Sequence, residues 1–210
     1  MGGELPPGAG EKASAALSME LRQGTLELQA EGIDVLTVKL YRVDLEMLFS
    51  RKPFIQPQTL QSEFSFVKPV FEQPIPGSTR SWEIPSEHRS SDLAVEVVSG
   101  STRAFRMHFA SSLRVAVAEK QGCVTVSAST GRPLAAVYVK VFSRVASGNV
   151  SFFKDGYTDL RGRFDYASLS GESTSRVQRF SMLIASASGG LVLEAAPPGS
   201  SGPSPPGAAH

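Results

Sequence analysis

The sequence predicts an all-β protein made of two antiparallel β-sandwich domains in tandem, with disordered termini. Short stretches in which apolar and polar residues alternate recur along most of the chain, as they do in half-buried strands. Turn sequences rich in glycine, serine, asparagine and aspartate separate these stretches at intervals of roughly 8 to 12 residues, which is typical of a β-sandwich. Helical segments do not alternate with them, so the strands are expected to run antiparallel rather than parallel.

Length and composition divide the chain into four parts. With 210 residues, of which 41% are hydrophobic and 20% charged, the chain is long enough for two ordinary globular domains. Both ends are rich in small residues and proline, and we expect them to be disordered. The predicted parts are a tail at 1–20, a first sandwich at 21–118, a second sandwich at 119–196 and a second tail at 197–210.

The first predicted sandwich opens with two strands. Residues 25–30 alternate, and Leu36, Val38 and Leu40 share one face of the strand that follows. A single helical turn is expected next, because apolar residues at helical spacing come directly after Asp44, a favourable N-cap residue.

Residues 53–90 contain six prolines, and proline cannot donate a hydrogen bond to a central β-ladder. We therefore predict loops and edge strands there, with short strands around Glu63–Val67 and Thr79–Ile84. Three closely spaced strands follow and are predicted to close the first domain as an antiparallel meander, at 93–99, 102–110 and 113–120.

The second predicted sandwich contains the clearest strand of the chain. Val137, Val139 and Val141 form one face of this strand. The opposite face carries aromatic rings and positive charges and is formed by Tyr138, Lys140, Phe142 and Arg144.

A polar turn region follows an aromatic strand at 150–153. Asp155 with Gly156 and Arg161 with Gly162 have the composition of tight turns, since glycine adopts positive φ at little cost. The residues assigned to this structural turn region are Asp155, Thr158, Asp159 and Gly162. The alternative is a Ca²⁺ site, because Asp155, Thr158, Asp159 and Asp165 bring oxygen ligands close together; the spacing of an EF-hand loop is absent, which favours the turn.

Two motifs in the second half carry a resemblance to a known family. Residues 131–139 have the pattern GxPLxxVxV and residues 158–166 the pattern TDxxGxFxY. Residues 119–196 therefore resemble the carboxypeptidase regulatory-like, or transthyretin-like, β-sandwich family, which implies a prealbumin-like or immunoglobulin-like fold. The segment VKLYRVDLEMLFSRKPF is similar to macroglobulin-type β-sandwich domains. Both resemblances imply structural or interaction modules at the C-terminal end of a very large multidomain protein, with an extracellular or cell-surface location favoured.

Composition and motifs argue against several functions. A net charge of +1 gives no reason to expect nucleic acid as a partner, and no apolar run is long enough to span a membrane. The single cysteine, Cys123, lies in an alternating strand and excludes a disulfide within the chain or a cysteine-based zinc site. No catalytic motif surrounds any histidine. We therefore predict no enzyme activity and no catalytic, cofactor or metal site.

The strand face formed by Tyr138, Lys140, Phe142 and Arg144 is the candidate binding surface. Cations beside aromatic rings on a sheet are common where a partner docks. The alternative is that this face packs on the first domain of the same chain. The predicted function is a non-catalytic structural or protein-interaction module pair that binds a protein partner or neighbouring domains. A carbohydrate- or peptide-binding module, with Trp82 or Tyr157 as stacking platform, is the second hypothesis.

Overall fold

The computed structural model describes residues 16–167, 174–187 and 189–199. These form two β-sandwiches, which confirms the predicted fold class. The first sandwich comprises β1 (Ala16–Arg22), β2 (Thr25–Glu31), β3 (Val35–Arg42), α1 (Leu45–Arg51), α2 (Pro57–Phe64), β4 (Phe71–Pro76), β5 (Ser81–Glu83), β6 (Leu93–Ser99) and β7 (Thr102–His108). The second comprises β8 (Arg114–Ala118), a 3-10 turn (Glu119–Gln121), β9 (Cys123–Ser127), β10 (Tyr138–Val145), β11 (Val150–Tyr157), β12 (Arg163–Asp165), β13 (Val177–Ser186) and β14 (Gly189–Ala195).

Each sandwich pairs a three-stranded sheet with a four-stranded sheet. The first has the strand orders β1-β2-β5 and β4-β3-β6-β7, and the second has β12-β9-β8 and β11-β10-β13-β14. All the strand pairings are antiparallel. The expected alternation places Leu36, Val38 and Leu40 in the first core, and Val139 and Val141 in the second.

The two helices form a third layer on the first sandwich. Asp44 caps α1 as predicted, since its Oδ1 accepts a hydrogen bond from the backbone N–H of Met47 at 2.9 Å. Leu48 of α1 and Leu60 of α2 pack on the side of the sheet that faces away from the core, against Tyr41 and Phe105. The sheet is therefore covered on both faces, and this explains why five consecutive residues of β6 are buried.

Two predictions about elements of the first domain were wrong. Strand β1 begins at Ala16, within the segment assigned to the N-terminal tail, because Met19 and its alternate neighbours pair with β2 and reach the core. The region 57–64 is helix α2, so the short strand expected around Glu63–Val67 is absent. Proline at the first helical position fits there, because that N–H has no partner within a helix.

The boundary between the domains also lies earlier than predicted. Strand β8, assigned to the first sandwich, pairs with β9 of the second from Arg114↔Ser127 to Ala118↔Cys123. The change of domain therefore falls between the end of β7 and Arg114. A strand's own alternation does not reveal which neighbour it will pair with, and this boundary depends on that pairing.

Candidate functional site on the outer face of the second sandwich

The candidate binding residues lie on the outer face of the sheet β11-β10-β13-β14. Val139 and Val141 of β10 point into the core, so the alternate residues on this strand point away from it. Lys140 lies opposite Leu183 of β13, and Phe142 lies opposite Ser181. The predicted face is therefore one stripe of a wider surface that β13 continues.

Three of the four predicted residues contact the first domain. The ring of Phe142 meets the ring of Phe49 of α1 edge to face, with 5.5 Å between their centroids. The guanidinium of Arg144 lies 4.3 Å from the ring centroid of Phe54. The Nζ of Lys140 donates to the Oγ of Ser50 at 3.1 Å. The inner part of this face is thus occupied by the segment that begins with α1.

We call the contact between residues 49–54 of the first domain and strands β10 and β13 of the second the joint. β13 supplies contacts at the joint that the sequence analysis did not identify. Ser181 is completely buried, and its hydroxyl donates to the carbonyl oxygen of Pro53 at 2.6 Å. Leu183 packs with Leu45 and Phe49 in an apolar cluster between the two domains. The sequence did contain an indication of this contact. Ser181, Leu183 and Ala185 alternate along the outer face of β13 and carry no charge, which is typical of a face that is buried against another element.

The fourth predicted residue, Tyr138, faces the edge strand β11. Its hydroxyl donates to the Oδ2 of Asp155 at 2.7 Å, and its ring centroid lies 5.5 Å from that of Tyr157. Partial burial, followed by the hydrogen bond to Asp155, raises the pKa of Tyr138 to about 12. Asp155 lies inside β11, so its assignment to a turn was wrong; its carboxylate lies on the outer face, directly opposite Lys140.

Apolar side chains continue from the joint onto the exposed edge strand β11. Phe152 is 53% exposed and makes an edge-to-face contact with Phe142, with 5.9 Å between their centroids. Tyr157 is 67% exposed, and Val150 is also exposed. We call Val150, Phe152 and Tyr157 the edge strip. It is the part of the outer face that the first domain leaves open.

The remaining turn residues shape the corner between β11 and β12. The Oδ1 of Asp159 accepts hydrogen bonds from the backbone N–H groups of Arg161 and Arg163, both at 2.8 Å. These bonds, the one from Arg163 first, lower the pKa of Asp159. Buried Thr158 donates to the carbonyl of Leu134 at 2.7 Å and accepts from the N–H of Val137 at 3.0 Å.

Gly162 fits this corner for two reasons. Its φ of +72° lies in the left-handed region, and a Cβ on it would lie 2.3 Å from the carbonyl oxygen of Val126. Within the described ranges, no group of three His, Cys, Asp or Glu side chains is arranged to hold a metal ion. The polar side chains of Thr158 and Asp159 instead bind backbone groups of the corner.

The two candidate stacking rings have different surroundings. Trp82 is half-buried beside Phe71, with 6.1 Å between ring centroids, and its indole N–H lies 3.3 Å from the Oε1 of Gln73. Tyr157 presents its ring to solvent.

Cys123 is a buried free thiol. None of the helices in the described part of the chain has the length and hydropathy needed to cross a membrane.

Two domain-family models match the chain one after the other. The model described as the AbpF seventh immunoglobulin-like domain matches residues 15–95, and the model described as the AbpF C-terminal domain matches residues 112–200. Actin-binding protein F from Dictyostelium discoideum is 34% identical over 181 residues, which cover 83% of this chain. The chain spans 8% of the length of that relative. The chain is a non-catalytic tandem of immunoglobulin-like β-sandwiches, similar to structural or interaction modules.

Proposed function

We propose that this tandem is a rigid protein-interaction unit that binds actin filaments. The similarity to actin-binding protein F motivates the choice of partner, and the edge strip is the observation on which the proposal depends. Exposed aromatic residues beside a well-packed scaffold are typical anchors of protein interfaces. The proposed contact surface consists of Val150, Phe152 and Tyr157, together with Tyr138 behind them.

Rigidity follows from the joint between the domains. The buried hydrogen bond from Ser181 to Pro53 and the packing of Phe142 against Phe49 attach the second sandwich to the helical segment that also packs on the first. Lys140 and Arg144 of the originally proposed binding face are used in the same joint. In this proposal the inner half of the face fixes the orientation of the two domains, and the outer half contacts the partner.

Co-sedimentation with actin filaments tests the proposal. We expect the chain to pellet with filaments, and Phe152→Ser combined with Tyr157→Ser to weaken binding about tenfold or more, as expected when two interface anchors are lost. Phe66→Ser is the matched control, because Phe66 is an exposed aromatic residue of the first domain. Failure of the unmodified chain to pellet at any filament concentration would leave only a spacer role and refute the proposal.

The finer assignments remain predictions. A carboxypeptidase regulatory-like or macroglobulin-like origin concerns ancestry, and it implies the same class of structural or interaction module. The expected extracellular or cell-surface location and the proposed actin partner place the chain differently. Microscopy of the tagged chain in cells shows whether it lies at the cell surface or along actin filaments. The exposed ring of Tyr157 supports the second hypothesis, a carbohydrate- or peptide-binding module, and a glycan array screened with Tyr157→Ser as control tests it.

A further inference from the structure

An apolar cleft lies where α2, β7 and β14 meet. It has a volume of about 200 Å³, and both domains line it, with Leu60, Met107 and Phe109 on one side and Val192 on the other. A dry cavity of roughly 150 Å³ is large enough for a benzene ring, so this cleft can take one aromatic or branched aliphatic group. Its lining offers little to hold water, which favours an apolar occupant.

Of the two strands beside the cleft, β14 is the unpaired edge. It ends the order β11-β10-β13-β14 and pairs on one side only within the described sheets. β7 also ends its order, but β1 lies close beside it, and the carbonyl oxygen of Phe105 on β7 already accepts a hydrogen bond from Arg106. Unpaired edge strands are sites where an extended segment of another protein adds by main-chain hydrogen bonds. This arrangement therefore favours an extended peptide over a compact small molecule.

Charge at the rim selects further among peptides. Arg106 lines the cleft, and its Nη1 donates to the carbonyl oxygen of Phe105 at 2.8 Å, which holds the guanidinium at the edge of β7. In the described part of the chain, no salt bridge joins Arg106 to a carboxylate, whereas Glu194 at the other rim pairs with Arg179 at 3.4 Å. The rim therefore has one positive charge without a counter-charge, and a carboxylate matches it.

We propose that this cleft binds an extended segment of a partner protein, with one bulky apolar side chain in the cavity and an adjacent carboxylate on Arg106. The site is distinct from the edge strip on β11, which lies at the opposite edge of the same sheet. Its occupant would contact both domains at once. Binding at this site is independent of the proposed actin contact.

Three short, blocked, fluorescently labelled peptides of otherwise identical sequence test the proposal by anisotropy. The first has phenylalanine next to glutamate, the second replaces the glutamate by glutamine, and the third replaces the phenylalanine by serine. We expect the second and third peptides to bind about tenfold more weakly than the first. Actin is absent from this experiment, so its outcome does not depend on the proposed function.

The variant Arg106→Gln gives the decisive comparison. It is expected to bind the glutamate and glutamine peptides equally, because only the carboxylate contact is removed. Arg114→Gln, on the edge strand β8 of the other sheet, is the matched control and should keep the tenfold difference. Val192→Trp is expected to fill the cavity and weaken the glutamate and glutamine peptides alike.

Thermal melts establish that each variant is folded, and the Arg106→Gln cycle decides the outcome even if Val192→Trp is not. Equal affinity for all three peptides, an unchanged preference for glutamate in Arg106→Gln, or no binding at millimolar concentration would overturn the proposal. Binding only to a second copy of the chain, seen as dimerisation by sedimentation, would overturn it too.

Discussion

The two four-stranded sheets differ in what covers their outer faces. The outer face of β4-β3-β6-β7 is covered by α1 and α2 of its own domain, and a carboxylate, Glu96, is buried there. The outer face of β11-β10-β13-β14 is covered by the same helical segment, which belongs to the other domain, and only in part. One short helical segment thus covers parts of two sheets, and the second sandwich depends on the first domain for the cover of its apolar outer face.

The largest expected effect is at Phe49. This residue of α1 is completely buried and packs against the outer face of the sheet β11-β10-β13-β14. Phe49→Ala should lower the free energy of unfolding by about 3 to 5 kcal/mol, because it leaves a large cavity. Met47→Ala, on the exposed side of the same helix, should change it by about 0.5 kcal/mol or less. Urea denaturation followed by fluorescence measures both. Similar losses in the two variants would show that α1 is not the shared cover.

The next effect concerns Glu96, which accepts hydrogen bonds from the hydroxyl of Tyr41 at 2.7 Å and from Arg103 at 3.1 Å. Glu96→Ala should lower the free energy of unfolding by about 2 to 3 kcal/mol, chiefly because the buried hydroxyl of Tyr41 loses its charged partner. Glu72→Ala breaks the exposed pair with Lys39 and should cost about 1 kcal/mol or less. Equal costs in chemical denaturation would contradict the view that the helical layer shields the first sheet's outer face from water.

A smaller effect is expected at the joint itself. Ser181→Ala leaves the buried carbonyl of Pro53 without its donor and should lower the free energy of unfolding by about 1 to 2 kcal/mol. Ser143 of β10 is also buried, but its hydroxyl lies 3.4 Å from that of Ser151, a weak contact. We expect Ser143→Ala to cost less than Ser181→Ala in calorimetric melts. The reverse order would mean that the joint adds no stability to the second sandwich.

The smallest effect is a pH dependence at the uncovered end of the second sheet. The pKa of Tyr138 is raised from 10.0 to about 12, so the folded state favours the neutral phenol. Its contribution to stability is fully present below pH 10 and is lost as the pH rises towards about 12. Tyr138→Phe should make the fall in stability above pH 10 shallower. Asp155→Asn should move the titration of the Tyr138 phenol, followed by its absorbance, closer to pH 10. An unchanged titration would exclude Asp155 as a cause of the raised pKa.

The sequence predicted the strands well where one face is buried and the other exposed. The alternation of Val137, Val139 and Val141 identified β10 and both of its faces correctly. It could not show what covers the outer face, since the answer lies in residues 45–55, far away in sequence. Local pattern gives a side chain's direction, whereas its neighbour is decided by tertiary packing.

The sequence failed where composition was ambiguous. Helix α2 has a single buried residue, Leu60, and lies among prolines, so its apolar stripe is too weak to indicate a helix. Strand β1 consists of residues that also suit a tail, and its edge position requires few apolar side chains. The cleft beside Arg106 could not have been found from sequence, because its walls come from three separate stretches of chain.

The lone thiol of Cys123 provides a reporter for the comparison between the two domains. It is buried in β9 of the second sandwich, opposite Asp165 and Ala118. A thiol reagent can therefore reach it only when that sandwich opens, since the first domain contains no cysteine. Modification rates measured under native conditions would report the opening of the second domain alone. Comparing the modification rates of Phe49→Ala and of the unmodified chain would show how much the stability of the second domain depends on its contact with the first domain.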